Sequence, residues 1–416
     1  MDRRDVLRGL VAAGGLSALS ACLELENTEI PAGDPARRPT RQHAWNDSLP
    51  RDDHGNVRPP NHHVFLSLTY TGTDRAADRE HLETALTDLE RAYRASNDGL
   101  LFTLGYGPAY FDRFDEREDG TIGGVALPDP GPLHADESVG ADEADAFLHL
   151  ASDHASVVLA AREALFGRAS ANGVEVTRVD DIFEQESRRT GFVGPGLPAA
   201  RADDLVGLPD DAVSDVAPNF MDFRSGFRET QASEERVTIE SGPFAGGTVQ
   251  HVEVLRFYLS AWYERSTDEQ VARLFGPDVD PEAVGPHGEK LTTDNRVSPV
   301  DADALQDVAE RHGVVGHAQK MARFREDGRP PILRRDVNSD DFNEAGMVFV
   351  SLQRAIADFE RLRVAMDGRD VAAETPIEER EDNGILQYIR PRRRGNFLIP
   401  PRDRRALPRV ETPRPE

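Results

Sequence analysis

The chain has 416 residues, 38% of them hydrophobic, enough to build cores for two or three domain-sized units. Asp and Glu outnumber Lys and Arg by 75 to 49, for a formal net charge of −26, so nucleic acid is not an expected partner. A single cysteine excludes an internal disulfide and any cysteine-rich metal site.

Nearly all the positive charge is arginine; lysine occurs only at Lys290 and Lys320. An acid-rich, lysine-poor chain resembles the proteins of extreme halophiles, where salt screens self-repulsion. Near the N-terminus, Asp2-Arg3-Arg4-Asp5-Val6-Leu7 resembles a twin-arginine export motif. A weakly apolar run from Gly9 to Ala18 follows, too short to span a bilayer, and then Leu19-Ser20-Ala21-Cys22 matches a lipobox. Residues 1–22 are therefore expected to be a lipoprotein signal. Cys22 would be the lipidated residue, holding the protein at the outer face of the cell membrane; one lipid alone anchors only marginally. Residues 23–60 are rich in Pro, Asp, Asn and Arg without periodicity and are expected to form a flexible linker.

Val64, Leu66, Leu68 and Tyr70 alternate with Phe65, Ser67 and Thr69, which predicts a strand. Thr73 or Asp74 would cap a helix that places Leu82, Leu86, Leu89 and Tyr93 on one face. Leu100 to Gly107 and Ala146 to Ala151 predict two further strands, and Ala155–Phe166 a second helix. Residues 168–216 read as a connection with some strand in it. The scheme then repeats: a long strand from Thr248 to Leu259, a short helix holding Val271 and Leu274, a helix over Asp301–Arg311, a strand at Ala345–Leu352, and a helix carrying Ile356, Phe359, Leu362 and Met366. Arg392–Arg394, in a basic, Pro-rich ending, read as a solvated turn. This order predicts an α+β fold of two ferredoxin-like modules, residues 61–200 and 201–405, followed by a tail at 406–416.

The histidines complete no zinc spacing, and no Gly-x-Ser-x-Gly or phosphate loop is present. Several segments instead share a resemblance. Gly316-His317-Ala318-Gln319-Lys320, followed by Ile332-Leu333-Arg334-Arg335, resembles the haem-ligand segment of dye-decolourising (DyP-type) peroxidases. Leu104-Gly105-Tyr106-Gly107-Pro108, Gly246-Gly247-Thr248 leading to Leu255-Arg256-Phe257 and Ala261-Trp262, and Gly346 to Arg354 are similar to other segments of that family, in the same order. The resemblance implies paired ferredoxin-like modules of the dimeric α+β barrel type. It implies haem b held through iron by His317, and Arg334 on the opposite side, stabilising charge on peroxide. Gly226 and Gly247 would let backbone approach the haem. Hydrogen peroxide would be reduced by an unknown donor, with electrons passing through a surface Tyr or Trp such as Trp262; a homo-oligomer is a further expectation.

One position departs from the family. Aligned on Phe223 and Gly226, Ser225 stands where the family has its catalytic Asp. A serine hydroxyl is too weak a base for that role, though it can hydrogen-bond a peroxide or water. Asp222 and Glu229 are the nearest substitute carboxylates. The alternative reading is a catalytically degenerate relative: a surface lipoprotein that binds haem or another ligand without turnover.

Overall fold

The structure is a computed structural model and describes residues 29–134, 137–167, 170–203, 205–297, 302–326 and 328–410. The export motif and Cys22 lie outside these residues. No helix among them is long and apolar enough to cross a membrane.

Four strands form the first sheet: β1 (His62–Tyr70), β2 (Leu101–Tyr106), β3 (Ala146–Ser152) and β4 (Phe183–Phe192). They run antiparallel in the order β4-β1-β3-β2. The second sheet holds β5 (Thr248–Phe257), β6 (Leu333–Arg334), β7 (Val337–Ser339), β8 (Gly346–Gln353) and β9 (Ile389–Ile399). There β6 and β7 pair successively with β8, β8 with β5, and β5 with β9. Each sheet thus has the strand order of a ferredoxin-like module. Single pairings, Asn338↔Phe192 and Leu398↔Tyr106, join the sheets at both edges and close them into one ring. Phe65 and Phe147 of the first sheet meet Val252, Val348, Val350 and Phe397 of the second in one apolar cluster. The fold is α+β, with one large antiparallel sheet.

The helices cover the other faces. In α1 (Arg75–Ala92), Asp74 caps the N-terminus by accepting from the amides of Ala76 and Ala77. Its Leu82, Leu86 and Leu89 join Val157, Val158 and Leu165 of α2 (Ala155–Phe166) against Val64, Leu66 and Leu68. The second module carries α3 (Thr267–Leu274), α4 (Ala302–His312), α5 (His317–Ala322) and α6 (Ile356–Asp367).

Three segments differ from expectation. Residues 29–60 are not a free tether but a strap across the ring. Gln42 donates to the carbonyls of Leu104 and Pro400, one on each sheet side, and Trp45 is 3% exposed. The connection before residue 200 does contain the expected strand, β4, a full member of the first sheet. Arg392–Arg394 lie within β9, and Arg394 is buried because Glu253 (2.5 Å) and Glu137 (2.6 Å) bind it. The tail also packs: Ala406 and Leu407 are buried.

Candidate functional site

A cleft of about 1270 Å³ opens along the β6–β7 edge. Ser225 and Gly226, Gln231, and Arg334, Asp336 and Asn338 contribute to its wall, with Trp45 and His63 from the strap and β1. The loop is tied to the edge by Gln231, which accepts from the Arg334 amide (2.9 Å) and donates to the Arg334 carbonyl (3.3 Å). Gly226 has φ +81°, a conformation in which any other side chain would be strained. Ser225 and Arg334 are thus brought to one cleft, with Ser225 exposed and Arg334 half-buried.

Arg334 has no ion-pair or hydrogen-bond partner for its guanidinium among the described residues. Its neighbour Arg335 points the other way: it donates to the His43 carbonyl, pairs with Glu234 at 3.1 Å, and lies 4.1 Å from the centre of the Trp45 ring. This alternation is what a strand imposes.

His317 is the first residue of α5 and does not line the cleft. Gly384 packs behind it; a Cβ there would stand 3.0 Å from the His317 amide nitrogen. The Nδ1 atom is buried without a hydrogen-bond partner. Burial pushes the imidazole down to about 3, and the cations Lys320, Arg334 and Arg363 push the same way. The ring is therefore neutral near neutral pH. Arg334 belongs to both settings: it lines the cleft and acts on His317. The same helix presents Ala318 and Ala322 to an apolar cluster with Phe223, Trp262, Phe275 and Ile385.

The other candidates lie elsewhere. Gly247 approaches backbone: the carbonyl of Ile399 would be 2.5 Å from an added Cβ. Trp262 is fully buried, so it is not a surface contact for a donor. Asp222, at φ +72°, turns to His287, whose Nδ1 stands 2.8 Å from its Oδ1. Burial raises the Asp222 carboxyl above its ordinary range. Glu229 reaches the cleft beside Arg228.

Sequence reasoning missed a polar row on the sheet. Arg334 faces Ser351 in register, Ser351 faces His251, and His251 faces Asn396. Asn396 gives its amide hydrogens to the Pro128 carbonyl, so its Oδ1 accepts from His251 Nδ1 at 2.7 Å. That leaves His251 Nε2 a bare acceptor; it and Ser351 Oγ are buried without partners. Phe359 of α6 stacks on the His251 ring at 3.6 Å. Only strand register, which sequence does not display, reveals this row.

The residues at His317 fit an iron-porphyrin ligand: a half-buried, neutral imidazole, small side chains at Ala318 and Ala322 of the same helix, and a guanidinium, unpaired among the described residues, that acts on it. One feature departs, since no carboxylate orients Nδ1.

The fold is similar to those of solved DyP-type proteins. Against a DyP-type peroxidase from Cellulomonas bogoriensis the identity is 18%, covering 86% of this chain and 95% of that one, with a TM-score of 0.55. Against a dye-decolorizing protein from V. cholerae the values are 14%, 86%, 97% and 0.52. Against a variant of DypB from Rhodococcus jostii RHA1, solved in complex with heme, they are 17%, 83%, 95% and 0.51. No curated protein matches the chain. Residues 60–401 match a family of unknown function, DUF7405, and the chain belongs to that family.

Proposed function

We propose that this is a haem-binding protein of DyP-like fold that reduces hydrogen peroxide with an external electron donor. The observation that carries the reading is the neutral, unpartnered imidazole of His317 within the influence of the unpaired Arg334 guanidinium. His317 would hold the iron of haem b, and the bound haem would supply the redox centre.

The remaining work falls to the chain. Arg334 stays cationic and attracts the negative charge that develops on peroxide. Gln231 fixes the Arg334 backbone against the Ser225 loop. Ser225 offers a hydroxyl that positions peroxide or water by hydrogen bonding. Each peroxide consumes two electrons and two protons and yields two waters. Trp262 is buried, so it is not where the donor makes contact.

The proposal includes export by the twin-arginine route, lipidation at Cys22 and work at the outer face of the membrane in high salt. These rest on the sequence motifs and the acidic composition.

Ser225 favours a second reading, haem or ligand binding without turnover. The test is the absorption spectrum of the chain lacking residues 1–22, prepared with haem in high salt, followed by peroxide consumption with a dye as donor. A Soret band with turnover supports the first reading. A Soret band without turnover supports the second. A folded, colourless protein contradicts both haem readings.

A further inference from the structure

We propose that Asp336 is the proton-transferring carboxylate of this site, occupying functionally the place that Ser225 leaves empty. The inference rests on the peroxide reading above.

The β6–β7 segment runs continuously beside β8. Arg334 faces Ser351, the Arg335 amide bonds the Val350 carbonyl at 2.8 Å, and Val337 faces Val348. Residues 334, 336 and 338 therefore share one side of the segment, with successive members about 7 Å apart. All three line the cleft with Ser225 and Gly226, and Leu333, Arg335 and Val337 of the same segment reach its wall as well.

Its place beside Arg334 singles Asp336 out. Some charged groups in the wall are matched, Arg335 with Glu234, Arg224 with Asp52 and Arg228 with Glu229, whereas Asp47, Arg58 and Arg329 have no ion pair among the described residues but lie off the 334–338 segment. Asp336 has no such partner among the described residues, and neither does Arg334. The two stand side by side, oppositely charged, without pairing to each other. A small ligand placed between them meets a hydrogen-bond acceptor that is a usable base and a permanent cation.

The step moves one proton and no electrons. The Asp336 carboxylate takes the proton from one oxygen of hydrogen peroxide while Arg334 holds the resulting negative charge. It then delivers that proton to the other oxygen and ends ionised, as it began.

The test uses the haem-loaded chain lacking residues 1–22, with cyanide as the probe. Hydrogen cyanide must surrender its proton as it binds ferric haem, so its binding rate reports a nearby base without any turnover. Asp336→Asn is nearly isosteric. It is expected to keep the Soret band, slow cyanide binding roughly a hundredfold, the lower end of general acid–base contributions, and flatten its pH profile. Peroxide consumption falls in the same proportion. Glu229→Gln, the carboxylate control, leaves the cyanide rate unchanged. A full Soret band with an unaltered cyanide rate and pH profile in Asp336→Asn overturns the inference alone, as does an equal loss in Glu229→Gln. No Soret band in the unsubstituted protein overturns the haem reading and this inference with it.

Discussion

Arg334 and Asp336 project from one side of the same edge segment into one cleft, carry opposite charges, and neither is ion-paired among the described residues. Their arrangement changes what the missing carboxylate at Ser225 implies. If Asp336 acts as proposed, Ser225→Asp in the otherwise unchanged chain adds a second base to the site. Peroxide turnover should change by less than about threefold, well under the usual contribution of a general base. The same substitution should recover most of the activity lost in Asp336→Asn. Steady-state peroxide consumption by the two single variants and the double variant measures both effects.

Removing the Arg334 charge has two separable effects. Arg334→Ala should lower the peroxide rate by about a hundred- to thousandfold, as loss of a charge-stabilising donor does. It should also raise the His317 imidazole above its present low value, because Arg334 is one of the cations holding it down. Burial is the larger cause, so the imidazole should stay below its ordinary range. Histidine titration by NMR on the haem-free protein reads this second effect without turnover.

Acid should unfold the chain by protonating buried histidines. Burial holds His43, His63 and His317 at about 3 and His62 and His251 at about 4, with His149 well below its ordinary value. Each is depressed in the folded state, so its contribution is complete above the unfolded value near 6.5 and is lost as pH falls toward 3 or 4. Below about pH 6.5 each histidine adds a slope of up to about 1.4 kcal/mol per pH unit. Urea midpoints at fixed salt should fall steeply between pH 6 and pH 4. A flat profile over that range would contradict the burial of these rings.

The strap formed by residues 29–60 should matter to stability. Trp45 is buried, its backbone amide binds Glu234 at 2.7 Å, and Arg335 stacks on its ring. Trp45→Ala should cost about 3–5 kcal/mol, the usual range for emptying a buried aromatic site. Urea unfolding in constant salt checks the value; an unchanged midpoint would mean that the strap is dispensable.

The sequence displayed those elements whose residues form a short, regular stretch. Val64, Leu66, Leu68 and Tyr70 marked β1, although both faces of that strand are buried, and α2 was read at its observed limits. The sequence placed some strand in residues 168–216 but left the limits of β4 open, because only Phe183 and the final three residues of that strand are buried, while its middle is charged. It hid β9 because Arg394 is buried by ion pairing with residues 141 and 257 positions away, a long-range event that local pattern reads as solvent exposure. The strap was hidden for a related reason: single side chains such as Gln42 and Trp45 hold it, with no repeat between them.

The site divides the same way. His317 and Arg334 were named from short contiguous segments, which a sequence displays directly. Asp336 lies beside them in sequence, but its value depends on which side of the edge it faces and on having no partner. The Ser351–His251–Asn396 row joins strands far apart in the chain and needs their register.

The most direct test of the account is the absorption spectrum of His317→Ala beside that of the unsubstituted chain, both loaded with haem in high salt. The account predicts a Soret band in the unsubstituted protein and its loss in a variant that remains folded by circular dichroism. Stoichiometric haem retained by His317→Ala, with the same band, would contradict it.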